Sequence, residues 1–203
     1  MTGYFQGYKF FKNHLNELKK VLTFNKDIID NIKDEYKDLI FKNKTIGVHI
    51  RHGDMYKMLK NSEGYVKFPI LRKSYYIDAF KKIKNISEYN ILFFTDTASK
   101  WIKEHLLLLH NKSYLIKDNS TDEDLYLMSQ CDYLICSNST LSYWGGILGK
   151  KKVVIAPKYL MNIGGKNELK FDNKEYYPPN WIILNNMKTS IWKLDESDIN
   201  YVN

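Results

Sequence analysis

Between Val48 and Asp54 the chain sets two imidazoles, a guanidinium and a carboxylate around one glycine, in the order Val48-His49-Ile50-Arg51-His52-Gly53-Asp54. Arg51 offers a planar fork of donors suited to a diphosphate, and Gly53 lets the backbone turn or approach a ligand closely. The cluster reads as an anion clamp; pairing of Arg51 with Asp54, which would only brace the loop, is the plainer use of the same residues. A second group, Ser137-Asn138-Ser139-Thr140-Leu141-Ser142, stacks hydroxyls and backbone donors where a helix begins. A helix N-terminus favours negative charge. Capping needs only one of these residues, so the excess points to phosphate or ribose contacts. Asp96 follows a wholly apolar run and could accept hydrogen bonds from a nucleobase or sugar, or simply cap the next helix. Asp122-Glu123-Asp124 has a spacing able to hold a divalent cation, yet it opens a helix, where acids complement the dipole; we read it as structural and expect no metal.

These groups need a scaffold that brings them together. Phe11, Leu15, Leu18 and Leu22, then Ile28, Ile32, Tyr36 and Ile40 after the cap residue Asn25, recur at helical spacing and predict two amphipathic helices. The period changes at Thr45-Ile46-Gly47-Val48-His49-Ile50-Arg51, where β-branched residues alternate into the Gly53 turn. From there strands and helices alternate. A helix from Arg72 to Ile83 precedes strand Ile91 to Thr95, and a helix through Trp101, Ile102 and Leu106 precedes strand Tyr114 to Ile116. A helix opened by the capping-box pattern Ser120-Thr121-Asp122-Glu123 leads to strand Tyr133 to Cys136, and a helix from Leu141 to Leu148 leads to strand Val153 to Ala156. The tail carries Gly164-Gly165, Pro178-Pro179 and a last apolar stretch, Trp181 to Leu184.

This succession predicts an α/β fold, a Rossmann-like parallel sheet with helices on both faces. Residues 1–44 are expected to form a helical lead-in packed on the same domain, and 45–203 the Rossmann-like domain itself. In such a sheet ligands bind beyond the carboxyl ends of the strands, which is where His49 to Asp54, Asp96 and Ser137 to Ser142 all fall.

Composition narrows the classes. At 203 residues, with 44% hydrophobic and 15% aromatic residues, the chain has the make-up of one folded domain. A net charge of +8 favours an anionic partner, although the lysines alternate with acids as in a solvated surface and no nucleic-acid motif is present; no nucleic acid is expected. No run reaches the ~20 apolar residues of a membrane helix. The first residues lack the features of a signal peptide, so a cytoplasmic location is expected. Cys131 and Cys136, the two cysteines, read as small core residues.

With these residues in view, the sequence resembles glycosyltransferase family 11, the alpha-1,2-fucosyltransferases. Val48-His49-Ile50-Arg51-His52-Gly53-Asp54 is similar to the family's His-x-Arg-Arg-Gly-Asp block, Phe93-Phe94-Thr95-Asp96 to its middle block, and Asp124 to Ser129 followed by Asn138 to Trp144 to its last; Tyr177-Pro178-Pro179-Asn180-Trp181 is also familial. The resemblance implies that residues 45–203 are a nucleotide-sugar-binding domain of GT-B type, with no cofactor or metal, GDP-L-fucose as donor, and inverting transfer of fucose to a hydroxyl of an acceptor glycan. It implies that Arg51 binds the donor diphosphate, that His49, His52 and Asp96 lie near the nucleotide, and that Asn138, Ser139, Thr140 and Ser142 support phosphate. Asp54 is the best-placed carboxylate, either as the base that deprotonates the acceptor or as the brace of Arg51. His52 stands where the family has a second Arg, Thr97 where it has a second Asp, and Tyr143-Trp144 where it has paired tryptophans. Family members open on another α/β half with a Gly-rich loop, which nothing before Gly3 resembles, so a missing N-terminal half is an expectation of this reading.

Overall fold

The computed structural model describes residues 7–52, 65–96, 99–149, 153–161 and 175–193. Asp54, Gly53, Thr97 and Gly164-Gly165 lie outside the described residues.

Two helices come first, α1 (Leu15–Val21) and α2 (Lys26–Glu35), the second capped by Asn25, whose side chain accepts from the Asp27 N–H at 2.9 Å. Then follow β1 (Thr45–Ile50), β2 (Tyr65–Leu71), α3 (Lys73–Phe80), β3 (Asn90–Thr95), α4 (Ser99–His105) and β4 (Ser113–Leu115). The chain continues through α5 (Thr121–Gln130), β5 (Tyr133–Ile135), α6 (Thr140–Leu148), β6 (Val153–Pro157), β7 (Ile182–Leu184) and β8 (Ser190–Lys193). Six strands pair in parallel in the order β4-β3-β1-β5-β6-β7. The sheet is built outward in both directions from β1, which is the doubly wound Rossmann order.

The two-residue strand period sorts the core. On one face Leu92, Phe94, Leu134, Val154 and Ala156 pack with Ile32, Tyr126, Leu127, Tyr143 and Ile147 from α2, α5 and α6. On the other Ile46, Val48, Ile50, Ile91, Phe93 and Ile135 pack with Tyr75, Tyr76, Phe80, Trp101 and Ile102 from α3 and α4. Every one of β1's six residues is buried, as expected of a central parallel strand covered on both sides.

The capping box read from Ser120 to Glu123 is present in full, with the Ser120 N–H donating to the Glu123 carboxylate at 2.6 Å and the Glu123 N–H to Ser120 Oγ at 3.3 Å. Neighbouring Asp124 accepts from the Asn119 amide at 3.2 Å, and burial raises its pKa to about 6. These acids are thus engaged locally. The lead-in helices lie against α5 and α6: Phe24 meets the Tyr126 ring edge-on at 5.0 Å, Phe11 stacks on Trp144 at 5.4 Å, and the Tyr36 hydroxyl donates to Asn119 at 3.1 Å. Both cysteines are buried thiols.

Two strands lie outside the expected series. β2 and β8 pair antiparallel as a separate two-stranded sheet, with Ile70 opposite Ile191 and Leu71 opposite Ser190. β7, the expected apolar stretch, is the sixth strand of the main sheet. α6 approaches it closely: a Cβ on Gly146 would stand 2.6 Å from the Trp181 ring, so this position excludes any side chain.

Candidate functional site

The strand order reverses direction between β1 and β5, the place in a doubly wound sheet where ligands bind beyond the strand ends. A cavity of about 470 Å3 opens at this place. Its polar wall consists of Arg51 from the end of β1 and Ser137, Asn138, Ser139 and Thr140 from the turn between β5 and α6. Its apolar wall is Phe68 from β2, Leu160 and Met161 after β6, and the ring cluster of Tyr143, Tyr176, Tyr177 and Trp181.

The turn after β5 is held from several sides. Ser139 is the N-cap of α6, its Oγ accepting from the Leu141 N–H at 3.2 Å. The Ser142 hydroxyl, fully buried, donates to the Ser139 carbonyl at 3.2 Å and reaches the Ser137 carbonyl at 3.5 Å. Asn138 donates through its amide nitrogen to the Pro69 carbonyl of β2 at 2.6 Å, and its side-chain oxygen is buried without a hydrogen-bond partner. Tyr75 crosses from α3 to donate to the Cys136 carbonyl at 2.8 Å. The result is a stiff turn that presents the positive end of the α6 dipole beside Arg51, an arrangement suited to an anion.

The aromatic wall is equally braced. Tyr177 donates to the Pro157 carbonyl at 2.7 Å and Tyr143 to the Tyr176 carbonyl at 3.1 Å. The same Tyr176 carbonyl accepts from the Tyr8 N–H at 2.8 Å, so the first described turn of the chain backs this wall. Burial raises the pKa of all three tyrosines, that of Tyr176 to about 12, and leaves them as neutral phenols.

His49 lies beneath the cavity on the α6 side of the sheet. Its Nδ1 is 2.8 Å from Ser137 Oγ, and burial, with the charge of Arg51 second, pushes its pKa down to about 3. His52 lies elsewhere. Odd numbers of residues separate opposite faces of a strand, and His52 continues the β1 direction onto the α4 side, where its ring meets Trp101 edge-on at 4.5 Å and Nε2 is 3.4 Å from the Leu71 carbonyl. Its Nδ1 is buried with no hydrogen-bond partner, and burial, helped by neighbouring His105 and opposed by the Leu71 carbonyl, pushes its pKa down to about 4.

Of the residues expected at a donor site, Arg51, Asn138, Ser139 and Thr140 therefore meet at the cavity, and His49 supports it from below. Ser142 braces the turn from inside. His52 faces Trp101 and does not line the cavity, and exposed Asp96, just past β3, does not line it either. Phe68, Leu160, Met161 and Tyr176 were not anticipated. Tyr176 adjoins the Tyr177-Pro178-Pro179 segment, where a Pro-rich, aromatic-rich stretch outside the regular elements was the available signal. Among the described residues no group of three or more His, Cys, Asp or Glu side chains is placed to hold a metal ion, and no helix is long and apolar enough to cross a membrane.

The chain shares 29% identity over 183 residues with the O-antigen biosynthesis glycosyltransferase WbnK of Escherichia coli, covering 85% of this chain and 59% of that protein. It shares 28% over 149 residues with the alpha-1,2-colitosyltransferase of Escherichia coli, covering 72% of this chain and 50% of that one. It thus spans 59% and 50% of the length of these two relatives. Among solved structures, a glycosyl transferase family 9 protein from Veillonella parvula overlaps 82% of this chain and 42% of its own at 13% identity and a TM-score of 0.47. The fucosyltransferase NodZ from Bradyrhizobium overlaps 62% and 43% at 16% identity and a TM-score of 0.42. The model of glycosyl transferase family 11 matches residues 1–185, nearly the whole chain, and the protein belongs to that family.

Proposed function

We propose that this chain binds GDP-L-fucose in the cavity between β1 and β5 and forms the donor-binding part, of GT-B type, of an enzyme that transfers fucose with inversion to a hydroxyl of an acceptor glycan. The observation that carries the reading is the meeting of Arg51 with the α6 N-terminus on one wall and with an apolar, ring-rich wall opposite. A nucleoside diphosphate has the matching halves, a dianionic linker and a flat base.

In such a transfer the fucosyl carbon passes through an oxocarbenium-like state while negative charge builds on the departing diphosphate. Arg51 and the α6 dipole meet that charge without a metal ion, and because the α6 N-terminus is braced beforehand it stabilises the leaving group more than the ground state. Asp54 follows Arg51 by three residues and is our candidate for the base or for the partner that orients Arg51.

Calorimetry with GDP tests the reading. Arg51→Ala lowers affinity on the order of 100-fold or more while leaving the folded far-ultraviolet spectrum intact; unchanged affinity overturns it. A second reading, donor binding without turnover by this chain alone, is favoured by the 59% and 50% of its relatives that the chain spans. Turnover of GDP-fucose by the 203 residues with an oligosaccharide acceptor excludes that second reading.

A further inference from the structure

The contact between His49 Nδ1 and Ser137 Oγ joins a buried ring to a hydroxyl in the wall of the cavity. A serine hydroxyl has one hydrogen to give and two lone pairs. A neutral imidazole has one N–H, and the partner of each nitrogen decides which one carries it. Two arrangements fit the 2.8 Å separation. In one, Ser137 donates to a bare Nδ1 and turns only lone pairs toward the cavity, which repels an anion. In the other, Nδ1–H donates to Ser137 Oγ, and the hydroxyl hydrogen is released toward the cavity.

We propose that His49 is a positioning residue that adopts the Nδ1–H form, donates to Ser137 Oγ, and thereby aims the Ser137 hydroxyl hydrogen at the diphosphate of the bound nucleotide. This rests on the reading of the cavity as a diphosphate site. The surroundings suit the task. Burial and the Arg51 charge keep the ring neutral, so it carries a single N–H to be placed. The Ser137 backbone is fixed by its neighbours, its carbonyl lying 3.5 Å from the Ser142 hydroxyl, so what remains adjustable is the direction of the hydroxyl hydrogen. The imidazole acts through serine and does not itself face the ligand cavity.

The test uses GDP as the probe. In wild-type protein labelled with 15N-histidine, the GDP-bound state shows a protonated Nδ1 and an unprotonated Nε2 for His49. Ser137→Ala weakens GDP binding by about tenfold or more, the effect of one hydrogen bond to a charged group. His49→Leu weakens it similarly. His49→Asn, whose amide nitrogen can stand in for Nδ1, restores affinity to within about threefold of wild type. In the Ser137→Ala background His49→Leu adds little, because the two residues act as one unit. A bare Nδ1 in the GDP complex, or an undiminished His49→Leu loss when Ser137 is already gone, overturns the positioning role alone. Failure of the wild-type protein to bind GDP overturns the diphosphate reading and the proposal with it. Should the leucine variant not fold, the nitrogen spectrum of the wild type decides.

Discussion

His49 and His52 lie three residues apart, both at most 5% exposed, and both are held neutral by burial, yet their surroundings differ in kind. On the α6 side the ring finds a hydroxyl and a cavity rim, and the hydroxyls of Ser137, Ser139 and Ser142 are each engaged in the same turn. On the α4 side the ring finds an indole stack, with Trp101 between His52 and His105 at 4.5 and 5.1 Å, and one nitrogen left without a partner. A buried imidazole bonded to a cavity-wall hydroxyl can be tied to a ligand site; one with an unpartnered buried nitrogen weakens the fold and is tolerated because the rings around it pack well. The two faces of β1 therefore differ in task, one supporting the cavity that we propose as the binding site and one serving stability.

That division can be broken most directly at Trp101. Trp101→Ala removes the central ring of the α4 face and costs about 3–5 kcal/mol in urea unfolding, while the folded fraction binds GDP as wild type does. Loss of GDP affinity on the scale of Arg51→Ala would show that the faces are not separate. A smaller effect comes from acid. The folded pKa of His52, about 4, lies below the ordinary 6.5, so the unfolded chain takes up the proton first as pH falls. The stability this residue contributes is complete above pH 6.5 and declines through the window down to about 4, by about 1.4 kcal/mol per pH unit. His52→Phe keeps the ring packing and removes the decline, leaving a shallower loss between pH 6 and 4.5 than wild type. Asp124, with its raised pKa, contributes with the opposite sign but equally in both proteins, so the difference isolates His52. Identical pH profiles would assign the titration elsewhere. The smallest effect concerns Tyr75, which belongs to the α4-side core but bonds to Cys136, the residue before Ser137. Tyr75→Phe costs about 1 kcal/mol and slightly weakens GDP binding, a measure of how far one face leaks into the other.

Much of this arrangement was legible before any coordinates. Alternation in Thr45 to Ile50 announces a strand, and the apolar run at Ile91 to Phe94 a central parallel one, because burial on both faces demands such a run. The Ser120 capping box and the hydroxyl-rich turn at Ser137 are local chemistry, visible in a few neighbouring letters. β2 was not legible: it contains Pro69, and its partner β8 lies far along the chain, so no local pattern records the pairing. With β2 unseen, Phe68 had no reason to stand beside Arg51. The separation of the two histidines was available in principle from the strand period, since residues an odd number apart leave on opposite sides. Grouping them by motif rather than by face hid it.

The pairing of Ile70 with Ile191 has a consequence for how the protein comes into being. Contacts between distant parts of a chain form late, because loop closure must precede any gain from them. The central strands and their helices can assemble while the tail is still being synthesised, but β2 has no partner until residues 190–193 have left the ribosome. Until then Phe68 lacks the strand behind it, and a nascent chain that stops short of β8 displays an open strand edge, a known invitation to mispairing. A ligand that binds the closed cavity alone would act on this last step as a folding aid, drawing the finished molecule out of the population that still holds its edge exposed.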